Sequence, residues 1–189
     1  MGFLSHLGPK AHMLDVILGN RRRYKHMDAF TQNVLRGKSE LSVKDREIIA
    51  TYVSALNACS YCSGIHAEVA KNFGMDENLI GQLLESIENA PIQDKLKPVF
   101  KYVKKLTLTP SMIVQSDVDH ILKAGWSSAT VEDIVAVTAL FNYYNRLMDG
   151  LGLKGYDEIF KEGAGFLSKR GYAMPGPVAW YLKNFGFKK

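Results

Sequence analysis

The sequence contains only two cysteines among its 189 residues, and none of its apolar runs is long. Two cysteines are too few for a disulfide framework, which excludes a small disulfide-stabilised domain. No run approaches the roughly 18–20 apolar residues that a membrane span needs, which excludes a transmembrane protein. The first six residues also lack the apolar core of a signal peptide. We therefore expect a cytoplasmic protein with no membrane contact.

A strong excess of one charge is lacking too. Lysine and arginine together number 24, and aspartate and glutamate 19, so the formal net charge is +5. The one dense basic cluster is Arg21–Arg23, and elsewhere basic residues are interleaved with acidic ones. This interleaving is typical of a solvated basic surface, and it predicts no nucleic-acid partner. An apolar content of 47% suits the core of one domain, which we place over residues 1–189.

Alternation of apolar and polar residues at every second position is absent as well, so the sequence predicts no β-sheet. Apolar residues instead recur every three or four positions, as in residues 27–35, which is typical of amphipathic helices. Helix starts agree with this spacing. Ser42 is followed three positions later by Asp45, and Ser128 precedes another helical segment. The sequence therefore predicts an all-α fold.

A weak internal repeat relates two parts of this helical pattern. Residues 42–57 resemble residues 128–142 at an offset of 85 or 86 positions. Two copies of a helical hairpin would explain the likeness, and so would chance similarity between two amphipathic helices. The repeat predicts an active-site half over about 25–90 and a degenerate second half over about 95–155, where residues 143–148 replace the cysteines.

Four reactive side chains are concentrated between Glu47 and His66. Cys59, Cys62 and His66 are three and four residues apart, so in a helix they share one face. We expect Asn57 to cap that helix and to place both thiols in its first turns, where the helix dipole favours a thiolate. Glu47 lies about as far before the turn as His66 lies after it, which brings them to nearly the same height in an antiparallel hairpin. A carboxylate beside an imidazole beside a thiol can act as a proton relay.

Each of these residues also has a plainer explanation. Glu47 could be a surface carboxylate, and His66 could be a core histidine bonded to a carbonyl. The cysteine pair with His66 could form part of a structural zinc site. The chain has no second cysteine pair, however, and its other histidines show no paired ligand spacing; they are His6, His12, His26 and His120. We therefore predict dithiol redox chemistry at Cys59 and Cys62 and no metal site.

The spacing from Glu47 through the Cys-x-x-Cys pair to His66 resembles the active-site signature of AhpD-like alkylhydroperoxidases, within the carboxymuconolactone decarboxylase superfamily. The segments LSVKDREIIATYVSALNACSYC and ALFNYYNRLMDGLGL are similar to its peroxidase-related enzymes, and Leu35-Arg36-Gly37 lies upstream. The resemblance covers roughly residues 25–155. It implies an all-α, AhpD-like fold of repeated helical hairpins. It also implies a homo-oligomer, a trimer or a hexamer.

The same resemblance implies that Glu47, Cys59, Cys62 and His66 form the catalytic relay. AhpD proteins carry a histidine between the cysteines, where this chain has Tyr61. This departure concerns their particular reductant, a lipoylated partner. The superfamily's decarboxylases lack the cysteine pair, so we do not expect decarboxylase activity.

These observations together predict a thiol-dependent peroxidase that reduces hydrogen peroxide or alkyl hydroperoxides without metal, haem or another cofactor. Cys62 lies one turn from His66, so we assign it the attack on the peroxide, and we assign Cys59 the resolving step and the exchange with an external dithiol. That reductant is a thiol protein or a lipoyl-type dithiol. Two alternatives would use the same residues: a general protein disulfide oxidoreductase, and a binding module with a redox switch.

Two further segments have characteristic compositions. Residues 141–147 combine two asparagines with Arg146 among aromatic residues, and could line a pocket opposite the thiols. We favour a structural role in which Arg146 pairs with Asp149. The C-terminal tail, residues 156–189, is predicted to lie at a subunit interface. Its last eighteen residues are crowded with apolar side chains, namely Tyr172, Met174, Pro175, Val178, Trp180, Tyr181, Leu182, Phe185 and Phe187.

Overall fold

The computed structural model of the chain describes residues 2–8, 10–173 and 176–181, and this part of the chain is helical without strands. The helices are α1 (Met13–Gly19), α2 (Arg21–Tyr24), α3 (Met27–Arg36), α4 (Val43–Leu56), α5 (Ser60–Asn72), α6 (Leu79–Glu85), α7 (Lys97–Leu108), α8 (Gln115–Lys123), α9 (Ser128–Gly150), α10 (Asp157–Arg170) and α11 (Gly176–Tyr181). Short 3-10 turns at Asp94–Leu96 and Pro110–Met112 precede α7 and α8. The predicted all-α class is confirmed.

The starts of α4 and α9 are fixed by serine caps. The Ser42 hydroxyl accepts a hydrogen bond from the Asp45 backbone N–H, and the Asp45 carboxylate accepts one from the Ser42 backbone N–H, which together form a capping box. Helix α9 begins one residue earlier than predicted, because Ser127 and not Ser128 caps it. The Ser127 hydroxyl accepts from the Thr130 N–H at 3.2 Å.

The two segments of the proposed repeat are both helices, and they pack against each other. A shorter helix precedes each one, α3 before α4 and α8 before α9. Asn57, at the end of α4, donates a hydrogen bond to its repeat equivalent Asn142 at 3.1 Å. Helix α4 ends at Leu56, whereas α9 continues unbroken through the positions that correspond to the cysteines. The division into two halves stays a prediction.

The core lies where α4, α5, α7 and α9 meet. Tyr52 and Phe100, from α4 and α7, are both buried and contact each other edge to face at 5.4 Å between ring centroids. Phe141 of α9 is also fully buried. Side chains of this kind each stabilise the fold by about 1.5–3 kcal/mol through burial. The same core surrounds Glu47, which is fully buried on α4.

Helix α10 packs closely on α5 through glycines. A Cβ atom at Gly64 would lie 2.3 Å from the Phe160 ring, and one at Gly155 would lie 2.0 Å from it. The Phe160 ring therefore occupies space that a side chain at either glycine would need. This contact holds α10, and the segment that follows it, against the helix that carries Cys62 and His66.

The C-terminal tail packs partly on its own chain. Tyr172 was predicted to lie at a subunit interface, but its hydroxyl reaches Glu47 of the same chain at 2.7 Å. Trp180 is 63% exposed. Residues Met174, Pro175, Leu182, Phe185 and Phe187, and the side chains of Val178 and Tyr181, lie outside what the structure describes, so the subunit interface stays a prediction. Over the described ranges, no helix has both the length and the apolar character that crossing a membrane requires.

Candidate active site

The turn between α4 and α5 places the first cysteine at the start of a helix. Asn57 was predicted to cap α5, but it lies in helical conformation at the end of α4, and its side chain bonds to α9 instead. Ala58 adopts the left-handed conformation with φ of 55°, which reverses the chain direction. Cys59 is consequently the N-cap residue of α5, next to the positive end of the helix dipole.

The hairpin brings Glu47 and His66 into direct contact, as the spacing predicted. The Oε2 atom of Glu47 lies 2.8 Å from Nδ1 of His66. Its other oxygen, Oε1, accepts hydrogen bonds from Arg36 Nη1 at 2.6 Å and from the Tyr172 hydroxyl at 2.7 Å. Both oxygens of this fully buried carboxylate are thus bonded.

These partners keep Glu47 ionised. Burial alone would raise the pKa of Glu47, because the charged form loses its hydration. The hydrogen bond and charge of His66, the charge of Arg36 and the hydrogen bond from Tyr172 outweigh burial and lower that pKa below its ordinary value. Glu47 is therefore a carboxylate at neutral pH.

The carboxylate fixes the orientation of the His66 ring. A carboxylate only accepts hydrogen bonds, so Nδ1 of His66 carries the proton, and Nε2 can act as a proton acceptor. The edge of Phe141 contacts the imidazole with ring centroids 4.5 Å apart, and the Tyr172 ring stacks on it at 5.9 Å. The imidazole is held on two sides.

The two thiols are buried and adjacent, and no disulfide joins them. Cys59 is fully buried, and Cys62 is 4% exposed. The hydrogen bond from the Cys62 thiol lowers the pKa of Cys59; burial opposes this, and the Cys62 backbone N–H adds to it. The same hydrogen bond, burial and the charge of Cys59 raise the pKa of Cys62 well above its ordinary value. The first thiolate of the pair is therefore favoured on Cys59.

His66 lies one helical turn after Cys62, on the same helix. Among the residues that the structure describes, no hydrogen bond joins the imidazole to either thiol. Proton transfer between them therefore requires a side-chain rotation or bridging water. The structure places Glu47 with His66 and Cys59 with Cys62, and the proposed relay must connect the two pairs.

Helix α9 covers the dithiol from the opposite side through Asn145. The Cys59 thiol donates to the Asn145 backbone carbonyl at 3.9 Å, and the Asn145 side chain lowers the pKa of Cys62 against the larger effects that raise it. Asn145 is buried, donates to Ser54 at 3.0 Å and accepts from Asn57 at 2.8 Å. This part of residues 141–147 lines the site, which the favoured structural interpretation of the segment had missed.

The hydrogen-bond partner of Arg146 differs from the one predicted. Its guanidinium donates to the backbone and side-chain oxygens of Asn142, at 2.9 and 2.8 Å, and forms no ion pair with Asp149 among the described residues. Asn142 lies one turn before Arg146 on α9, so the guanidinium finds two acceptors on its own helix.

Three residues of the site were not predicted from the sequence. Arg36 appeared only within the Leu35-Arg36-Gly37 segment, and Tyr172 only as one of many apolar tail residues. A signal for Asn145 existed in the polar residues that interrupt an aromatic helix. Within the described ranges, no group of three or more histidine, cysteine, aspartate or glutamate side chains is arranged to hold a metal ion.

The fold and the site together define a class of protein: a chain that is helical over its described residues, with a buried Cys-x-x-Cys dithiol next to a hydrogen-bonded Glu–His pair. The model of the carboxymuconolactone decarboxylase family matches residues 23–96, which contain Glu47, Cys59, Cys62 and His66. This match, together with the solved structures below, supports the predicted resemblance to AhpD-like proteins of the carboxymuconolactone decarboxylase superfamily.

Solved structures share this fold. An uncharacterized peroxidase-related protein from Silicibacter sp. TM1040 is 26% identical, with a TM-score of 0.71 over 77% of this chain and 76% of that chain. A second, from Ralstonia eutropha JMP134, is described as an alkylhydroperoxidase AhpD core; it is 21% identical, with a TM-score of 0.70 over the same shares. The uncharacterized protein YdfG of Bacillus subtilis (strain 168) is 25% identical over 115 residues, which are 61% of this chain and 78% of YdfG.

Proposed function

We propose that this AhpD-like protein is a thiol-dependent peroxidase whose Cys59–Cys62 dithiol reduces hydrogen peroxide or alkyl hydroperoxides. The observation that carries the proposal is the buried Glu47–His66 pair, because His66 lies one helical turn from Cys62 of the buried dithiol. The likeness to the peroxidase-related protein from Silicibacter sp. TM1040 supports it. The reaction needs no metal or organic cofactor, because sulfur itself is oxidised and reduced.

Oxidation of the dithiol proceeds in two displacements. The Cys62 thiolate attacks the terminal oxygen of the hydroperoxide, and the O–O bond breaks. The alkoxide leaves with the proton that His66 had taken from the thiol, which gives an alcohol, or water from hydrogen peroxide. The Cys59 thiol then attacks the resulting sulfenic acid, water leaves, and a disulfide remains. An external dithiol restores both thiols by exchange.

The assignment of Cys62 to the peroxide depends on how the pair shares its charge. After the first ionisation the two sulfurs hold one negative charge and one proton, and the resting pair favours the charge on Cys59. Transfer of the shared proton from Cys62 to Cys59 makes Cys62 the nucleophile. Cys62 keeps that role in the proposal because it lies one turn from His66, which supplies the proton for the leaving group.

Burial of both sulfurs favours a small oxidant over a protein disulfide. Exchange with a folded protein requires an accessible sulfur atom, and Cys59 is fully buried. A hydroperoxide needs far less space. For the same reason we propose that the physiological reductant presents its dithiol on a slender arm, as a lipoyl-type dithiol does. A dithiol that must be kept reduced suits the reducing cytoplasm, and we propose that location.

The proposal is tested by steady-state peroxide consumption with a panel of reductants that includes dihydrolipoamide and thioredoxin. Cys62→Ser is expected to abolish peroxide reduction. Cys59→Ser is expected to stop turnover and to leave a sulfenic acid on Cys62, which a dimedone-type probe traps. Ser63→Ala, on the same helix, is the control, and we expect it to turn over like the wild type.

Other results would favour other functions. A sulfenic acid trapped on Cys59 in the Cys62→Ser variant would reverse the roles of the two thiols. Rapid exchange with a protein disulfide but no peroxide consumption would indicate a disulfide oxidoreductase. A single oxidation without turnover, whichever reductant is supplied, would indicate a redox switch.

A further inference from the structure

Tyr172 reaches the Glu47–His66 pair from a part of the chain that is distant in sequence. Its hydroxyl donates to Glu47 Oε1 at 2.7 Å and lies 3.3 Å from His66 Nδ1. Its ring is stacked on the imidazole with an interplanar angle of 13°. We propose that Tyr172 is a positioning residue that holds Glu47 in the orientation required for His66 to accept a thiol proton; this role rests on the proposed function.

The backbone next to Tyr172 is fixed in a way that supports this role. The Gln32 side-chain oxygen accepts hydrogen bonds from the backbone N–H groups of Tyr172 and Ala173, at 2.6 and 3.3 Å. Gly171 has φ of 71°, and a Cβ atom there would lie 2.3 Å from the same oxygen. The glycine thus permits a close approach between α3 and this segment that another residue would prevent. These contacts fix the position from which the Tyr172 phenol reaches Glu47 and His66.

The two carboxylate oxygens of Glu47 have different partners, and this explains how Tyr172 orients the carboxylate. Oε1 is occupied by Tyr172 and Arg36, so Oε2 remains for His66. Without the phenol hydroxyl, Oε1 keeps one partner, and the carboxylate can rotate about its terminal bond. His66 would then lose the fixed Nδ1 partner that leaves Nε2 as the proton acceptor.

The charged and titratable groups around the carboxylate come from four parts of the chain. They are Arg36 of α3, Arg46 of α4, His66 of α5 and Tyr172 after α10, while α9 contributes an aromatic edge. Burial, together with the charge of Glu47, raises the pKa of Tyr172 well above its ordinary value. The hydroxyl therefore stays protonated and remains a donor at every pH used below.

The test is the rate of thiol alkylation by iodoacetamide in the reduced full-length protein, with no peroxide present. Tyr172→Phe keeps the ring and removes the hydroxyl. Loss of one buried hydrogen bond predicts an alkylation rate at pH 7 about three- to tenfold below that of the wild type. The deficit is expected to vanish at alkaline pH, where the thiols ionise without help. Gln32→Ala, which releases the backbone of Tyr172 without touching Glu47, is expected to give a deficit of the same sign.

The matched control is Tyr144→Phe, which also removes a buried hydroxyl, bonded to Thr31 at 2.6 Å. It is expected to lower stability and to leave the alkylation profile unchanged. Profiles of Tyr172→Phe and Gln32→Ala that both coincide with the wild type would overturn the positioning role. A wild-type protein that fails to consume peroxide while Tyr172→Phe still shows the deficit would refute the proposed function and leave the positioning role in place.

Discussion

Glu47 Oε2 and His66 Nδ1 lie 2.8 Å apart, although the two residues are nineteen positions apart along the chain. The contact exists because the turn at Ala58 folds α5 back along α4 and brings the two side chains to the same height. Glu47 is fully buried; Arg36 balances its charge, and the imidazole forms a hydrogen bond with its other oxygen. The pair therefore acts as one electrostatic unit, and the proposed proton transfer depends on it.

Replacement of Glu47 by glutamine tests this unit through the thiols. A neutral amide stabilises an imidazolium less than a carboxylate does, so His66 will take the thiol proton less readily. We expect Glu47→Gln to slow alkylation of Cys62 at pH 7 by at least about tenfold, which is less than loss of all general-base assistance would cause. Raising the pH should restore the rate. The measurement is alkylation rate against pH, resolved for each cysteine by mass spectrometry.

Glu68→Gln provides the control for this variant. Glu68 lies on the same helix as His66, but its carboxylate pairs with Lys71 near the surface at 2.8 Å. We expect its alkylation profile to match the wild type. An unshifted profile in Glu47→Gln would remove Glu47 from the mechanism and leave it a structural residue.

The lowered pKa of Glu47 also predicts how stability depends on pH. A carboxyl group whose pKa is lower in the folded state contributes stability that is fully present above its unfolded value, here about 4.5, and is lost as the pH falls through the folded value. We expect Glu47→Gln to be less stable than the wild type by about 3 kcal/mol at pH 7, because it leaves Arg36 unbalanced. The difference should shrink as the pH falls below 4.5. Urea unfolding between pH 7 and about pH 3 measures it.

Glu88→Gln separates this effect from surface charge. Glu88 also has a lowered pKa, through the hydrogen bond and charge of Lys101, but both side chains are exposed. A solvated pair of this kind contributes little to stability. We expect Glu88→Gln to follow the wild-type curve. A similar loss of unfolding free energy in Glu47→Gln and Glu88→Gln would mean that burial does not strengthen the contribution of the Glu47 charge to stability.

The sequence was sufficient to predict the helical class and the contact between Glu47 and His66. Both depend on short-range regularities. Apolar residues every three or four positions indicate helices, and a single turn near Asn57 sets the register of the hairpin. One local prediction was wrong, namely that Asn57 caps α5. Asn57 has the right side chain for an N-cap, but its amide is used by Asn142 and Asn145 on α9.

The contacts that complete the site could not be predicted in the same way. Tyr172 lies 125 residues from Glu47, and Asn145 lies 86 residues from Cys59. No spacing rule connects positions that far apart, because their meeting depends on how whole helices pack. The order of thiol ionisation could not be predicted from the spacing either, for a related reason. The spacing along α5 suggests that Cys62, one turn from His66, is the thiol that loses its proton. The hydrogen bond between the two thiols instead favours the negative charge on Cys59.

Asn145 offers a test of the contact between α9 and the dithiol. Asn145→Leu removes the acceptor of Asn57 and the donor to Ser54, so we expect a loss of about 2 kcal/mol in the free energy of unfolding. It also removes the amide that lowers the pKa of Cys62, so alkylation of Cys62 should require a higher pH. Asn142→Ala is the control. It breaks the bond with Asn57 without contacting a sulfur, and a shifted thiol profile there would contradict our assignment.

The homo-oligomer predicted from the sequence is tested by measuring the molecular mass of the protein in solution. Phe166 and Trp180 are 49% and 63% exposed, and exposed aromatic residues of this size favour association with a further surface. We expect light scattering at micromolar concentration to give a mass three or six times the chain mass of 21.1 kDa. A mass of one chain would contradict the prediction.

The packing of α10 on α5 predicts that Gly64 does not tolerate a side chain. Gly64 lies between Cys62 and His66, and its Cβ position is 2.3 Å from the Phe160 ring, which Gly155 also approaches closely. Gly64→Ala therefore forces the ring, and α10 with it, away from α5. Overpacking of this kind costs about 1–3 kcal/mol. Because Tyr172 follows α10, we also expect slower thiol alkylation at pH 7.

Gly81→Ala is the matched control for Gly64→Ala, because it makes the same change inside a helix where no atom lies within 4 Å of the new Cβ. Alanine favours the helix over glycine, so Gly81→Ala should be neutral or stabilising by up to about 1 kcal/mol. Thermal unfolding of both variants measures the comparison. Equal stability of the two variants would show that Phe160 can move aside freely, and that α10 does not control the position of Tyr172. A lower melting temperature for Gly64→Ala with an unchanged alkylation rate would separate packing from the site, since α10 would then contribute to stability without positioning the phenol.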